Sequence, residues 1–179
     1  MRLLMALVCG LLCTAVLAAP SLQLAGEQMQ VELIDSGRYR ILQREPRRAD
    51  GATTAGYSSV VKTELLSDST QVPLRLGEAF GFRFRLRPQQ ASGVWLPLQI
   101  VFHHPSLIDV RGQRSEGFVI DSAARRDSDG SYRNGAYYVL SDARELVAGR
   151  WRIELVHDGR TLISREFLLQ ADDGRVAGR

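Results

Sequence analysis

The stretch FGFRFRLRP, Phe80 to Pro88, alternates an aromatic or aliphatic side chain with glycine or arginine at every step. Successive side chains of an extended chain point to opposite faces, so Phe80, Phe82, Phe84 and Leu86 share one side. Gly81, Arg83, Arg85 and Arg87 share the other. Such a pattern serves either a half-buried strand or a basic aromatic surface for a polyanion. Magnitudes decide between them. Burying three phenylalanines and a leucine contributes on the order of 6–12 kcal/mol, at ~1.5–3 kcal/mol each. An exposed arginine ion pair contributes only ~0–1 kcal/mol. The phenylalanine side is therefore core, and the arginines fall on the solvated face at intervals of ~6.6 Å. There they meet acidic residues of a neighbouring strand or an external polyanion.

Working outward, no segment after Ala19 keeps a helical period for three turns, whereas period-two runs and turn clusters recur. Gln30–Leu42 reads as a strand with a bend or bulge at Asp35-Ser36-Gly37. Gln43–Gly56, with Pro46, Gly51 and Gly56, reads as a loop. Further strands are expected at Tyr57–Leu66, Val72–Leu76, Phe80–Arg87, Val94–Phe102, Gly117–Asp121 and Ala136–Leu140. A closing pair is expected at Arg150–Val156 and Thr161–Leu169. About eight short strands suit an all-β antiparallel sandwich over residues 29–170. The polar tail 171–179 is expected to fray.

The closing pair permits a register argument. Trp151, Ile153 and Leu155 share a face, as do Ile163, Phe167 and Leu169, and opposed residues must point the same way. A two-residue loop at Asp158-Gly159 sets Ile153 against Ser164. A three-residue loop, His157-Asp158-Gly159, sets it against Ile163, with Gly159 at positive φ. The second register is expected.

The N-terminus MRLLMALVCGLLCTAVLAAP has one arginine, an apolar run from Leu3 to Val16, and small residues at Ala18 and Ala19. This is the pattern of a signal peptide cut after Ala18, giving a leader at 1–18 and a linker at 19–28. The run is shorter than the ~20 apolar residues of a spanning helix, so no membrane span is expected after cleavage. Leu12 before Cys13 and Val8 before Cys9 do not suit lipoprotein processing. Both cysteines lie within the leader, so the mature chain has no thiol for disulfides, catalysis or metals. Periplasmic or secreted localisation follows as an expectation.

The chain carries 23 basic and 20 acidic residues, and loss of Arg2 leaves 22 − 20 = +2. So small a net charge gives no strong field for nucleic acid, which is not expected as a partner. Every basic residue but Lys62 is arginine. No nucleophile elbow, phosphate loop or dinucleotide fingerprint occurs. His103 and His104 are adjacent and point to opposite faces of a strand, and His157 sits at a turn. A histidine metal site would need the fold to bring His157 to that pair. Asp127-Ser128-Asp129-Gly130 begins like a calcium loop but lacks its later ligands, and suits a hairpin tip. No catalytic residue, metal or cofactor is implied. The binding candidates are Arg83, Arg85, Arg87 and Trp95. The tryptophan shares a face with Pro97, Gln99 and Val101, and proline points to an edge or bulge. Such an aromatic either anchors a partner or a sugar, or is covered by a loop or a second layer.

Four stretches also resemble a family of small secreted bacterial proteins known only as a domain of unknown function. They are SGRY (Ser36–Tyr39), PLRLGEAFGF (Pro73–Phe82), HPSLIDVRG (His104–Gly112) and LVAGRWRIELVHDGRTLISREF (Leu146–Phe167). The resemblance implies an immunoglobulin-like sandwich in the bacterial envelope, and brings no catalytic residues. The residues and the resemblance together give an expected non-catalytic module that binds a protein or glycan of the envelope. The alternatives are a hydrolase whose acidic residues assemble only in the fold, and a weak metal-binding protein.

Overall fold

The computed structural model describes residues 29–44, 60–90, 93–108 and 112–171. The expected leader, linker and tail lie outside them, as does most of the loop expected after the first strand. Among the described residues nine strands form: β1 (Met29–Arg44), β2 (Val60–Ser67), β3 (Gln71–Pro73), β4 (Ala79–Pro88), β5 (Trp95–Ile108), β6 (Arg114–Arg126), β7 (Tyr132–Val139), β8 (Gly149–His157) and β9 (Arg160–Gln170). Their order is β2-β1-β4-β7-β6-β5-β8-β9-β3, antiparallel except for the short β3–β9 pairing. Among the described residues the two halves of the sheet pair as strands only at Arg125↔Arg133 and Arg126↔Tyr132, between β6 and β7, and there the sheet curls. Beyond that corner β2-β1-β4-β7 and β6-β5-β8-β9-β3 face each other as the two layers of a sandwich.

The phenylalanine face of β4 lies between the layers, as its alternation requires. Phe80, Phe82 and Leu86 are fully buried and Phe84 nearly so. Phe80 meets Trp151 of β8 edge-on at 5.7 Å and Phe167 of β9 at 5.1 Å. From β5 come Leu96, Leu98, Ile100 and Phe102, which complete a single core.

Several boundaries differ from those read in the sequence. β6 and β7 are longer than expected because they meet at the corner, where polar residues pair in place of an apolar pattern. β5 runs on past His104-Pro105 to Ile108, with a break in its β6 pairing between His103 and Leu107 that accommodates the proline. In β1 the irregularity falls at Ile34, just before the expected Asp35-Ser36-Gly37: Leu33 pairs with Phe84 and Asp35 with Arg83. One short 3-10 turn, Ala143–Glu145, was not expected. Asp142 caps it by accepting from the Arg144 N–H, and the Glu145 side chain returns to the Asp142 N–H.

The closing hairpin corrects the register argument in one respect. His157 pairs with Arg160, so the loop is the two-residue Asp158-Gly159, with φ of 47° and 73° as a type I′ turn needs. The additional residue that matching faces demand sits in β9 instead, as a bulge at Leu162 between Val156↔Thr161 and Leu155↔Ile163. Trp151 then opposes Phe167, and Ile153 opposes Arg165. The apolar faces of the two strands match as expected, and Gly159 has positive φ. The three-residue loop and the Ile153–Ile163 pair do not form.

Candidate functional site

Arg83, Arg85 and Arg87 lie on the outer face of β4, and each has an acidic partner. The bulge at Ile34 sets Asp35 opposite Arg83, whose Nε lies 2.8 Å from Oδ1 and 3.0 Å from Oδ2. A terminal guanidinium nitrogen closes the fork on Oδ2. The Arg83 hydrogen bonds hold the Asp35 carboxyl below the usual carboxylate range. Tyr39 adds to the cluster, donating to Asp35 Oδ1 at 2.6 Å. Burial first, and the Asp35 carboxylate second, push the Tyr39 phenol up. The Tyr137 ring meets Tyr39 edge-on at 4.9 Å, and its hydroxyl lies 3.2 Å from Thr63 Oγ1. It fits because Gly135 lies beneath it, where a Cβ would come within 2.3 Å of the ring. Arg85 bonds Glu32 at 2.7 Å, while Arg87 lies 3.7 Å from Glu32 and 3.6 Å from Asp129. On β7, Arg133 pairs with Asp127 at 2.6 Å.

Trp95 stands at the start of β5 and is 58 % exposed, so no described loop or second layer covers it. Although β5 is an interior strand, β8 pairs only with Gln99–His103, which leaves Trp95–Leu98 a free edge on that side. Pro97 occupies this edge, and its carbonyl accepts from His157 Nδ1 at 2.9 Å.

Register links the two sets of candidates. Trp95 pairs with Arg125, Arg125 with Arg133, Arg133 with Arg85, and Arg85 with Glu32. At ~4.8 Å per strand this outward row spans roughly 19 Å across five strands. Arg125 is the member that sequence reasoning missed. Its neighbours come from hairpins and crossovers that no local pattern reveals. It is exposed and makes no ion pair among the described residues. Below Trp95 on the same face follow Pro97 with Ala123, Gln99 with Asp121, and Val101 with Val119. Gln99 Nε2 donates to Asp121 Oδ1 at 3.1 Å, and Val119 is 47 % exposed.

The remaining chemical groups are dispersed. His103 pairs with Arg152, whereas His157 contacts Pro97, six residues back along β5, or ~20 Å. Buried His104 donates from Nδ1 to the Pro105 carbonyl at 2.8 Å, and burial holds its pKa below the usual imidazole value. Among the described residues two carboxylates are deeply buried, those of Glu78 and Glu145. Glu78 receives Arg38 at 3.0 Å and Arg75 at 2.6 Å; Glu145 receives the Tyr138 hydroxyl at 3.0 Å and the Ser141 N–H at 2.6 Å. At the β6–β7 tip, Asp129 accepts from the Ser131 N–H at 3.0 Å, as a turn aspartate does. No group of three or more metal-ligating side chains gathers among the described residues. None of their helices is long and apolar enough to cross a membrane.

The layers, the corner and the β-bulged hairpin place the fold among immunoglobulin-like sandwiches. Over residues 27–169 the chain matches the family described as a domain of unknown function (DUF3859), and it belongs to that family. It is similar to the crystal structure of an immunoglobulin-like protein from Pseudomonas aeruginosa, at 20 % identity and a TM-score of 0.55. That likeness covers 79 % of this chain and 97 % of the other, and establishes the immunoglobulin-like fold. A DNA-bound alkylpurine DNA glycosylase of Pseudomonas fluorescens is 18 % identical over 54 % of this chain and 27 % of that one, with a TM-score of 0.34. So low a structural score carries no functional argument. No curated protein matches the chain.

Proposed function

We propose that the protein is a non-catalytic binding module of the bacterial envelope, which engages a protein or glycan through the outer face of β5 and β6. The observation that carries this reading is Trp95, 58 % exposed beside Arg125, which has no ion pair among the described residues. An exposed indole next to an exposed guanidinium is the composition found at interaction hot spots. Arg83, Arg85 and Arg87 support the strand network instead, since a ligand would have to displace Asp35, Glu32 or Asp129 to reach them. Envelope localisation rests on the leader pattern at residues 1–18 and on the resemblance noted above.

The test is cross-linking capture in the native host with a C-terminally tagged protein. Wild type is compared with Trp95→Ser and with an Arg83, Arg85, Arg87→Ser variant. Loss of a captured component in the Trp95 variant is the expected result. Equal capture by wild type and Trp95→Ser would sink the assignment of the face.

A further inference from the structure

We infer that the outer face of β5 and β6 is self-complementary and that its occupant is a second copy of this chain. The inference rests on the binding reading of the same face and names the partner. Aliphatic Pro97, Ala123, Val101 and Val119 follow Trp95 along the two strands, and all but Ala123 and Val101 are strongly exposed. Such side chains offer sugar hydroxyls no hydrogen bond, so this stripe suits an apolar protein surface better than a glycan.

The charges then select the partner. One rung lies on each side of Pro97↔Ala123: Trp95↔Arg125 above and Gln99↔Asp121 below. A two-fold axis lying in the interface along the Pro97–Ala123 rung carries each outer rung onto the other. Arg125 of one copy then meets Asp121 of the second, and Asp121 of the first meets Arg125 of the second. Trp95 lands on Gln99 of the other copy. Neither charge has an opposite charge to pair with among the described residues: Arg125 makes no ion pair there, and Asp121 accepts from Gln99 Nε2 through Oδ1, which leaves Oδ2 for the second copy. An isologous contact repeats each pairing twice, so one complementary pair on the surface supplies two across the interface. Two twisted sheets stacked face to face ~10 Å apart, strands crossing at ~30°, keep these side chains within reach. The patch is narrow, so the association is a weak one that appears as concentration rises.

The test is sedimentation equilibrium of the purified protein over a wide concentration range, with thermal unfolding to check that each variant is folded. Arg125→Asp and Asp121→Arg are each expected to weaken the dimer by about tenfold or more, because like charges then face each other twice. An equimolar mixture of the two variants is expected to form a heterodimer within about threefold of wild-type affinity, since every facing pair is again opposite in sign. Folding damage cannot produce that recovery. Trp95→Ser is expected to weaken the dimer at least tenfold. A wild type that stays monomeric, a dimer indifferent to the variants, or a mixture without recovery overturns the inference. The cellular capture separates the two ideas. A monomer whose capture still depends on Trp95 keeps the binding module and replaces the second copy with another partner. A monomer whose capture ignores Trp95 removes both.

Discussion

The two layers of the sandwich differ on their outward sides. On β1, β4 and β7, arginines and carboxylates satisfy one another: Arg83 with Asp35, Arg85 with Glu32, Arg87 with Glu32 and Asp129, and Arg133 with Asp127. On β5 and β6 the outward row begins with an indole and a guanidinium that has no ion pair among the described residues, and continues through proline and alanine, the hydrogen-bonded Gln99 and Asp121, and two valines. The first surface is completed within the chain. On the binding reading proposed above, the second is completed from outside. A charged stripe on a strand is thus weak evidence for a ligand until its neighbours are known, and an exposed aromatic on a paired strand is stronger evidence.

The charged layer is expected to be the one on which folding depends, and Gly81 is its severest probe. Gly81 has φ of 157°, pairs with Tyr137, and a Cβ there would lie 2.0 Å from the Ala136 carbonyl oxygen. Backbone must move to admit it. Gly81→Ala is expected to cost on the order of 3 kcal/mol in urea unfolding, near the upper range for a single strained site. Next in size is Asp35→Asn, which leaves Arg83 without its counter-charge and weakens the acceptor of the Tyr39 hydroxyl. The expected loss is about 1–3 kcal/mol. Trp95→Ser, on the other face, is expected to shift stability by less than about 0.5 kcal/mol, because an exposed side chain has little to lose on folding. A Trp95 variant that unfolds as readily as Asp35→Asn would erase the distinction.

How much of this was legible in the sequence depended on the range of the interaction. Alternation in FGFRFRLRP placed the phenylalanines inside and the arginines outside, because period two is local. The same local parity required an additional residue in the closing hairpin, but could not say whether loop or strand held it. Leu162 takes it as a bulge, which frees Asp158-Gly159 for the turn that best matches strand twist. Corner pairings were illegible: β6 and β7 are polar where they meet, and Arg125 gains its neighbours only through the path of the chain. Alternation and Pro97 mark Trp95 as a candidate, while its exposure emerges only in the folded sheet, where β8 stops short of it along β5. The partners of Arg83 and Arg85 likewise needed the β1–β4 register, which the bulge at Ile34 shifts by one residue.

Acid titration offers a gentler way to separate the two layers. His104 lies within the β5 layer at 6 % exposure, and its folded pKa is held below the 6.5 of the free side chain. Between those two values the unfolded chain binds more protons, so stability falls as pH drops below about 6.5. Asp35, on the opposite layer, is also depressed, from 3.8, so its contribution is present above that value and is lost only as pH falls below it. Melting temperature followed from pH 7 to 3 is therefore expected to decline in two stages. His104→Asn, which keeps a donor for the Pro105 carbonyl, flattens the first stage, and Asp35→Asn flattens the second. The smallest effect belongs to Arg87→Gln. Arg87 is 45 % exposed and sits 3.6–3.7 Å from its two carboxylates, so its loss is expected to cost under about 0.5 kcal/mol. That cost should vanish in 0.5 M salt, about three times physiological ionic strength, where exposed charges are strongly screened. A larger or salt-independent cost would mean that the charged face acts as one cooperative network, in which even its outermost arginine is committed to the fold.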